Sequence, residues 1–330
     1  MKPRGFTVAE VMVAMLLGCL VLIAATRLIA VASGTLRTRD DAADLLARAD
    51  MALDAMEADV QLAGYYGLAD TGRDFGFLQG GDAAAALPGT ALRETAPPLA
   101  PLPASAQACG NQFAVDLAVP LAADNNRFVL GRGRTAACSA RGGARAGADT
   151  LTVRHAEAQA ASGPDAGRLQ LLVSRTDPRQ RWLLLDGVLP AVPAPAPLQV
   201  QLHDLTVQSY YVANSSTGAP ALPALRVKSL TRVGAAASFL DTELMSGVED
   251  LQVRLLTATG AYDPDALPPG ETPRALQLWL LLRAARPEPG FADARDYAYA
   301  DRVLALSPAD RQIRRLLVSR IIALRNVPAP

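Results

Sequence analysis

The hydrophobic residues of this chain are concentrated at its start. Residues 6–25 read FTVAEVMVAMLLGCLVLIAA, twenty positions that contain one charge, Glu10. At about 1.5 Å per residue a helix of that length spans roughly 30 Å, the thickness of the hydrocarbon core of a bilayer. The next apolar run, residues 276–282, is too short to cross a membrane as a helix. The pattern predicts a single transmembrane helix over about residues 6–26.

Beyond the span, the apolar residues take the spacing of an amphipathic helix. They recur every three or four positions with charged residues between them, which is typical of a helix with one face on a protein surface. No proline occurs between Pro3 and Pro88, so a helix over residues 6–64 is unobstructed. The alternative is a break near Ser33 and Gly34 into two helices. The recurring apolar residues are Leu46, Ala49, Leu53, Met56, Val60 and Ala63.

From Tyr65 onward the pattern predicts short strands between proline-rich loops. The strand candidates are residues 113–119, 150–155, 169–174, 182–186, 206–213, 225–231, 248–257, 276–283 and 316–324. The loops, with stiff polyproline character, are residues 88–103, 190–197 and 264–273. The predicted fold class is α+β: a long N-terminal helix, apolar then amphipathic, packed on a β-rich antiparallel head over residues 65–330.

The composition narrows the class of protein. The 330 residues are 50% apolar, with 32 basic and 32 acidic side chains. This apolar content excludes general disorder, because it is enough to bury a core. Zero net charge argues against a protein that mainly binds nucleic acid. With two histidines and three cysteines, zinc sites of the finger or zincin type are nearly excluded.

Candidate catalytic residues are few. His155 and His203 lie in or beside predicted strands, and no Gly-x-Ser-x-Gly elbow, Cys-His signature or P-loop is present. Asp263, Asp265 and Glu271 miss the spacing of an EF-hand calcium loop. A catalytic triad assembled only in space is the alternative. We expect no enzymatic activity, no cofactor and no bound metal.

Two groups of arginines could contact DNA or an acidic partner. Neither group has the interleaved aromatic residues of a single-strand binder, so we expect a solvated, salt-bridged surface. The groups are Arg132, Arg134, Arg141 and Arg145, and Arg311, Arg314, Arg315, Arg320 and Arg325.

The three cysteines divide between the predicted span and the head. Cys19 falls in the span, whereas Cys109 and Cys138 fall in the part expected beyond the membrane, where an oxidising compartment permits a disulfide. We expect these two to pair. Two unpaired thiols are the alternative, since strand geometry could hold them apart.

The apolar N-terminal segment has three general interpretations. It could be a secretory signal with a cleavage site at residues 30–32, a lipoprotein signal at residues 16–19, or an uncleaved anchor. The long apolar run and its carboxylate count against both signals. Lys2 and Arg4 favour a cytoplasmic N-terminus and a translocated remainder.

Residues 5–10, Gly-Phe-Thr-Val-Ala-Glu, resemble the class III leader of type IV pilins and pseudopilins, although the family usually has Leu-Val where this chain has Val-Ala. The resemblance implies a leader over residues 1–5, removed by a prepilin peptidase after Gly5, and N-methylation of Phe6. It also implies an assembly role for Glu10, which pairs with the free amine of its own or a neighbouring subunit. An unpartnered carboxylate in hydrocarbon costs at least ~2.5 kcal/mol. The alternative is a carboxylate that snorkels to the interface.

Later segments resemble the PilW family of minor pilins. They are RADMALDAMEADVQLAGYYG at 48–67, DTLTVR at 149–154, LMSGVEDLQVR at 244–254 and ALRN at 323–326. The GVEDL within the third segment is also seen in the J-type minor pseudopilins of type II secretion, which are usually shorter.

The resemblance implies a minor pilin with a structural and interaction role, anchored in the inner membrane by one span with a periplasmic head. Such a protein primes type IV pilus assembly and ends at or near the pilus tip. The implied partners are other minor pilins, the major pilin, a PilY-type tip adhesin, the prepilin peptidase and the inner-membrane assembly platform. Cell adhesion, twitching motility and DNA uptake stay open as the purpose of the pilus. The alternatives are a J-type minor pseudopilin and a signal-anchored periplasmic enzyme or sensor.

Overall fold

The computed structural model describes residues 7–73, 75–79, 82–84, 109, 113–130, 138–177, 181–188 and 200–327. Residues 30–40, 77–79 and 82–84 are described by their backbone alone. The chain divides into two compact units, Met1–Ala47 and Arg48–Pro330. The described residues form a mixed α/β protein with an apolar N-terminal helix and mainly antiparallel sheets.

The first element is the helix α1, over Val8–Leu62. No proline interrupts its backbone hydrogen bonds. It ends just before Gly64, whose φ of +80° is a left-handed conformation that glycine adopts without steric cost. A Cβ on Gly64 would lie 2.6 Å from the carbonyl oxygen of Asn326, so the C-terminal segment passes directly against the end of the helix.

Nine of the described strands form the first sheet. They are β1 Gly76–Gln79, β2 Asp82–Ala84, β3 Leu121–Asp124, β4 Thr150–Ala156, β5 Gln170–Ser174, β6 Arg181–Leu184, β7 Val200–Ala213, β8 Ala224–Val233 and β9 Ala236–Ser246. Their order is β2-β1-β6-β5-β7-β4-β3, with β8 paired to β7 and β9 to β8. The pairing of β1 with β6 is parallel, and the other pairings in this sheet are antiparallel.

A second, antiparallel sheet follows. Its strands are β10 Val248–Leu256, β11 Ala261–Tyr262, β12 Ala275–Arg283 and, after the hairpin β13 Tyr297–Tyr299 and β14 Arg302–Leu304, the last strand β15 Arg315–Ala323. Their order is β11-β10-β12-β15. Leu278 and Leu280 of β12 are fully buried, whereas Ser319 and Ile321 of β15 are exposed. The second sheet therefore has a well-buried centre and one exposed margin.

Asp149 connects the two sheets. Its backbone N–H donates to the carbonyl of Leu251 at 2.9 Å, and its carboxylate accepts hydrogen bonds from the backbone N–H groups of Asn126 at 2.7 Å and Val253 at 2.8 Å. Burial raises the pKa of this carboxyl to about 7, although both hydrogen bonds act in the opposite direction.

The strand predicted at residues 113–119 is wrong. The segment forms a short 3-10 turn, Phe113–Val115, and further turns. The cause is Arg154 of β4, whose guanidinium donates to the carbonyls of Phe113 at 2.9 and 3.0 Å and of Val119 at 2.8 Å. It also stacks 4.7 Å from the centre of the Phe113 ring. The carbonyls at both ends of the segment thus bind one buried cation, and sequence periodicity carries no sign of that.

The strand β9 is absent from the predicted strands. Its residues Asp241 and Glu243 pair with charged side chains of β8: Asp241 with Arg226 at 2.7 Å and with Lys228 at 2.8 Å, and Glu243 with Arg226 at 3.0 Å. These two cations are almost fully buried. A buried ionic network therefore holds the β8–β9 hairpin, and its charges hide the alternation that marks a strand. The proline-rich segments 88–103 and 190–197 lie outside the described residues.

Candidate functional site in the N-terminal helix

The first part of α1 is apolar and exposed. Val8–Ile29 covers 22 residues with a mean hydropathy of 2.6, and no residue of its most apolar stretch is buried. By length and composition this segment could cross a membrane, and a signal sequence would share the same properties. Thr26 satisfies its hydroxyl within the helix by donating to the carbonyls of Leu22 and Ile23. Its length and composition thus suggest a membrane anchor or a signal sequence.

Glu10 lies in the first turn of the helix and forms a capping box with Thr7. The Oε2 atom of Glu10 accepts hydrogen bonds from the backbone N–H of Thr7 at 2.8 Å and from the Thr7 hydroxyl at 2.9 Å. The backbone N–H of Glu10 lies 3.3 Å from Thr7 Oγ1. This reciprocal arrangement satisfies N–H groups that have no partner within the helix, and it places a negative charge at the positive end of the helix dipole.

The sequence also singles out Gly5, Phe6 and Cys19 in the N-terminal region. Gly5 and Phe6, the predicted processing residues, are outside the described residues, which begin at Thr7. Cys19 is exposed on α1 and is not part of a disulfide. Sequence reasoning missed the role of Thr7, although the Thr-x-x-Glu spacing of a capping box was visible.

The last part of α1, Arg48–Leu62, belongs to the second compact unit and buries one face there. From Ala49 onward the buried side chains follow the helical spacing expected from the sequence, whereas Leu46, which the pattern placed on the same face, is 51% exposed. The buried residues are Ala49, Ala52, Leu53, Met56 and Val60, all at most 2% exposed.

A polar contact within that face joins the helix to the first sheet. The hydroxyl of Tyr210 in β7 donates a hydrogen bond to the carboxylate of Asp59. His155 Nε2 in β4 lies 3.6 Å from Asp59 Oδ1, while His155 Nδ1 is 2.8 Å from the carbonyl oxygen of Ala156. Burial and the Asp59 charge both raise the pKa of Tyr210, so its phenol remains a donor.

Ionic contacts join the helix to the second sheet. The guanidinium of Arg320 in β15 binds the carboxylates of Asp54 and, at 2.9 Å, Glu57, and it lies 3.8 Å from Asp50. The hydrogen bond with Asp54 raises the pKa of Arg320. The side-chain amide of Asn326 donates to the carbonyl of Gln61 at 3.1 Å. The docked part of α1 is thus fixed to both sheets.

Cys109 and Cys138 form a disulfide in the structure, with their Cα atoms 5.1 Å apart. Both residues are buried, and they belong to the hydrophobic core beside Phe75, Leu117 and Val207. The bond closes a segment of 29 residues in sequence separation.

Most of the C-terminal arginines are paired with carboxylates. Arg311 lies 3.3 Å from Asp296, Arg314 lies 2.9 Å from Glu288, and Arg315 lies 2.6 Å from Glu249. In the other group Arg145 is 4.0 Å from Glu249, and residues 132 and 134 lie outside the described residues.

The residues considered for catalysis or calcium binding contact other groups of the chain. His203 is fully buried and its Nδ1 lies 2.7 Å from the carbonyl oxygen of Glu157. Asp263 pairs with Arg254 and Asp265 with Arg127. Within the part of the chain that the structure describes, no three His, Cys, Asp or Glu residues are placed to hold a metal ion.

Comparisons with known proteins identify no family for this chain. No protein-family model matches the chain, and no curated protein matches it. A solved structure of a type IV-like pilin from Thermus thermophilus matches with 16% identity, over 56% of this chain and 80% of that one. Its TM-score is 0.28, which is too low to carry an argument.

Proposed function

We propose that this chain is a minor pilin of the PilW type, which takes part in priming type IV pilus assembly and lies at or near the pilus tip. The observation that carries the proposal is the position of Glu10. Its carboxylate binds the backbone N–H of Thr7, at the start of an exposed apolar helix. Thr7 is the residue next to Phe6, whose amine would become the N-terminus after cleavage at Gly5.

This geometry gives the carboxylate two uses in succession. In the uncleaved chain Glu10 caps the helix through Thr7. After cleavage, a protonated and N-methylated amine on Phe6 would stand one residue away. A charge pair formed there, or with the amine of a neighbouring subunit, would offset the cost of holding a carboxylate at the edge of the hydrocarbon.

The two parts of α1 suit different tasks. Val8–Ile29 buries nothing within its own unit, so its apolar surface is available to lipid and afterwards to the helices of other subunits. Arg48–Leu62 is fixed to the strands by Asp59 and Arg320. In this proposal the head is periplasmic and the span lies in the inner membrane. The partners are other minor pilins, the major pilin, a PilY-type adhesin, the prepilin peptidase and the assembly platform.

The experiment is mass spectrometry of the N-terminus of the protein extracted from native membranes. The expected chain begins at N-methylated Phe6. A chain that begins at Met1, at a lipidated Cys19 or at Ser33 would contradict the proposal. Gly5→Val should block cleavage, and Lys2→Gln in the same leader is the matched control that should still be processed.

Partner identity separates the proposal from its nearest alternative. Crosslinking in native membranes should capture minor pilins and a large adhesin. Capture of type II secretion components by a correctly processed chain would instead identify a J-type minor pseudopilin, as the Gly247–Leu251 segment allows. A signal-anchored periplasmic enzyme or sensor would show no processing at Gly5 and no dependence on Glu10.

A further inference from the structure

The last strand, β15, is a long and regular edge strand. It pairs with β12 through nine consecutive residue pairs without a register shift, and β12 is its sole partner among the described strands. Proteins usually protect exposed edges of this kind with short strands, charged side chains or bulges, because such edges offer unpaired backbone groups to other chains. The other described edge strands follow that rule. The edges β2, β3 and β11 are two to four residues long, and β9 has a register shift and inward-facing charges.

The register shows which backbone groups of β15 face outward. Two flanking hydrogen bonds, from Leu324 N–H to the carbonyl of Arg274 and from Ala284 N–H to the carbonyl of Arg314, fix the alternation. Even-numbered residues from 314 to 324 therefore bond to β12. The N–H and C=O groups of the odd-numbered residues from 317 to 323 point away from it. At residue 315 the outward carbonyl already accepts a hydrogen bond from the Arg295 side chain.

Side chains on the two faces of this edge differ in chemistry. On one face Ser319, Ile321 and Ala323 are exposed, and Ile321 is 60% exposed. On the other face Arg320 meets three carboxylates of the helix, which leaves two negative charges after one is neutralised. Those of Asp50 and Asp54 are the more exposed, at 59% and 70%. The edge therefore presents outward backbone N–H and C=O groups between a small apolar face and an acidic flank.

We propose that the β15 edge binds an extended segment of a partner polypeptide, which adds a strand beside Leu317–Ala323. The segment would carry basic side chains on the face towards α1 and small or apolar side chains on the face of Ile321. Main-chain pairing gives such a complex its affinity, and the alternating side chains give it specificity. The inference does not depend on the proposed pilus function, because it rests on the edge and its charges alone.

The test uses the full chain in detergent and a synthetic nine-residue peptide that alternates valine and lysine, with binding measured by fluorescence anisotropy. Ser319→Pro removes one outward N–H without touching the ladder to β12. We expect it to weaken binding about tenfold, the order of one or two lost hydrogen bonds. Ser319→Ala keeps the backbone donor and is the matched control, with unchanged affinity. Equal binding by the two variants would overturn the proposal.

Modified peptides keep the test independent of whether the proline variant folds. One peptide is N-methylated on every valine and the other on every lysine, so each blocks one edge of the added strand. Only one of the two should lose binding to the unaltered protein, and binding by both or by neither would overturn the proposal. Asp50→Asn with Asp54→Asn should weaken the lysine peptide at low salt and leave a serine-for-lysine peptide unaffected. A dimer of the protein alone, abolished by Ser319→Pro, would instead make a second copy the occupant.

Discussion

The hydroxyl of Tyr210 on β7 donates a hydrogen bond to the carboxylate of Asp59 on α1, and His155 flanks the same carboxylate. The contact lies among the apolar side chains that dock the helix, where Tyr210 is 2% exposed. A carboxylate placed there requires its partners, because desolvation penalises a charge without them. This contact is therefore one of those that hold the helix against the first sheet.

Removing the donor should loosen the helix. Tyr210→Phe leaves Asp59 without its hydroxyl partner, and we expect a loss of about 1 to 3 kcal/mol in the free energy of unfolding. Denaturant midpoints measure the loss, and hydrogen exchange over residues 48–62 locates it. Tyr262→Phe, at an exposed hydroxyl on β11, is the control. If both variants unfold alike, the Asp59 contact does not hold the helix.

The capping box allows charge and capping to be separated at Glu10. Glu10→Gln keeps a side chain that caps the helix and removes the charge, whereas Thr7→Val removes the capping hydroxyl and keeps the charge. If the carboxylate pairs with the N-terminal amine, Glu10→Gln should reduce incorporation into pili far more than Thr7→Val. Pilus fractions probed for this protein measure the effect. Equal effects would show that Glu10 acts in assembly through capping alone.

The disulfide should make a large contribution to the stability of the head. On the chain-entropy model, a bond that closes 29 residues of sequence contributes about 3 to 4 kcal/mol. Cys109→Ser with Cys138→Ser should lower the free energy of unfolding by that order, and Cys19→Ser should not change it. Titration of thiols in the unfolded, unreduced chain should find one, from Cys19. Three free thiols would mean that the two cysteines do not pair in the cell.

Acid should weaken the segment around Asp293. Burial alone would raise the pKa of this carboxyl, but hydrogen bonds from Arg295 and Tyr297 outweigh it and lower the pKa to about 2. A lowered pKa stabilises the fold above the unfolded value, near 4, and the contribution disappears as the pH falls towards 2. Asp293→Asn should therefore reduce the change of the unfolding free energy with pH in this range. Urea midpoints between pH 5 and 2 measure the slope, and identical slopes would contradict the assignment.

The contribution of Asp149 to stability should change with pH in the opposite direction. Its pKa is raised to about 7, so the folded state binds a proton more readily than the unfolded state, whose value is near 4. Its contribution to stability is therefore complete at low pH and declines as the pH rises from about 4 to 7. Asp149→Asn should be less stable overall, because its amide cannot accept both backbone hydrogen bonds, and should lack this decline. A decline of the same size in the variant would assign it to another group.

Several elements could be predicted from the sequence, because local pattern decides them. The strands β4, β10 and β12 follow apolar runs between turns, and the buried face of Arg48–Leu62 follows helical spacing. The failures depend on distant partners. The segment at 113–119 bends because Arg154, about forty residues away, binds its carbonyls, and β9 carries buried charges that only β8 explains.

The contacts of the candidate site also divide into a local pair, which the sequence reveals, and distant pairs, which it does not. The Thr7 and Glu10 pair is three residues apart and could be found by spacing. The contacts of Asp59 with Tyr210 and of Asp54 with Arg320 join residues 151 and 266 positions apart. No local pattern signals such pairs, because they depend on how the sheets are ordered.

Gly64 places a constraint on how this sequence can evolve. Its left-handed conformation disfavours any side chain, and the nearby carbonyl of Asn326 leaves no room for one. The two reasons are independent, so a shift of the Asn326 carbonyl would relieve only one of them. In a saturation library every non-glycine codon at 64 should be depleted, whereas Gly163 and Gly218, with open space around them, should accept substitution. We therefore expect the glycine at position 64 to limit which changes the end of the helix and the segment around Asn326 can accept.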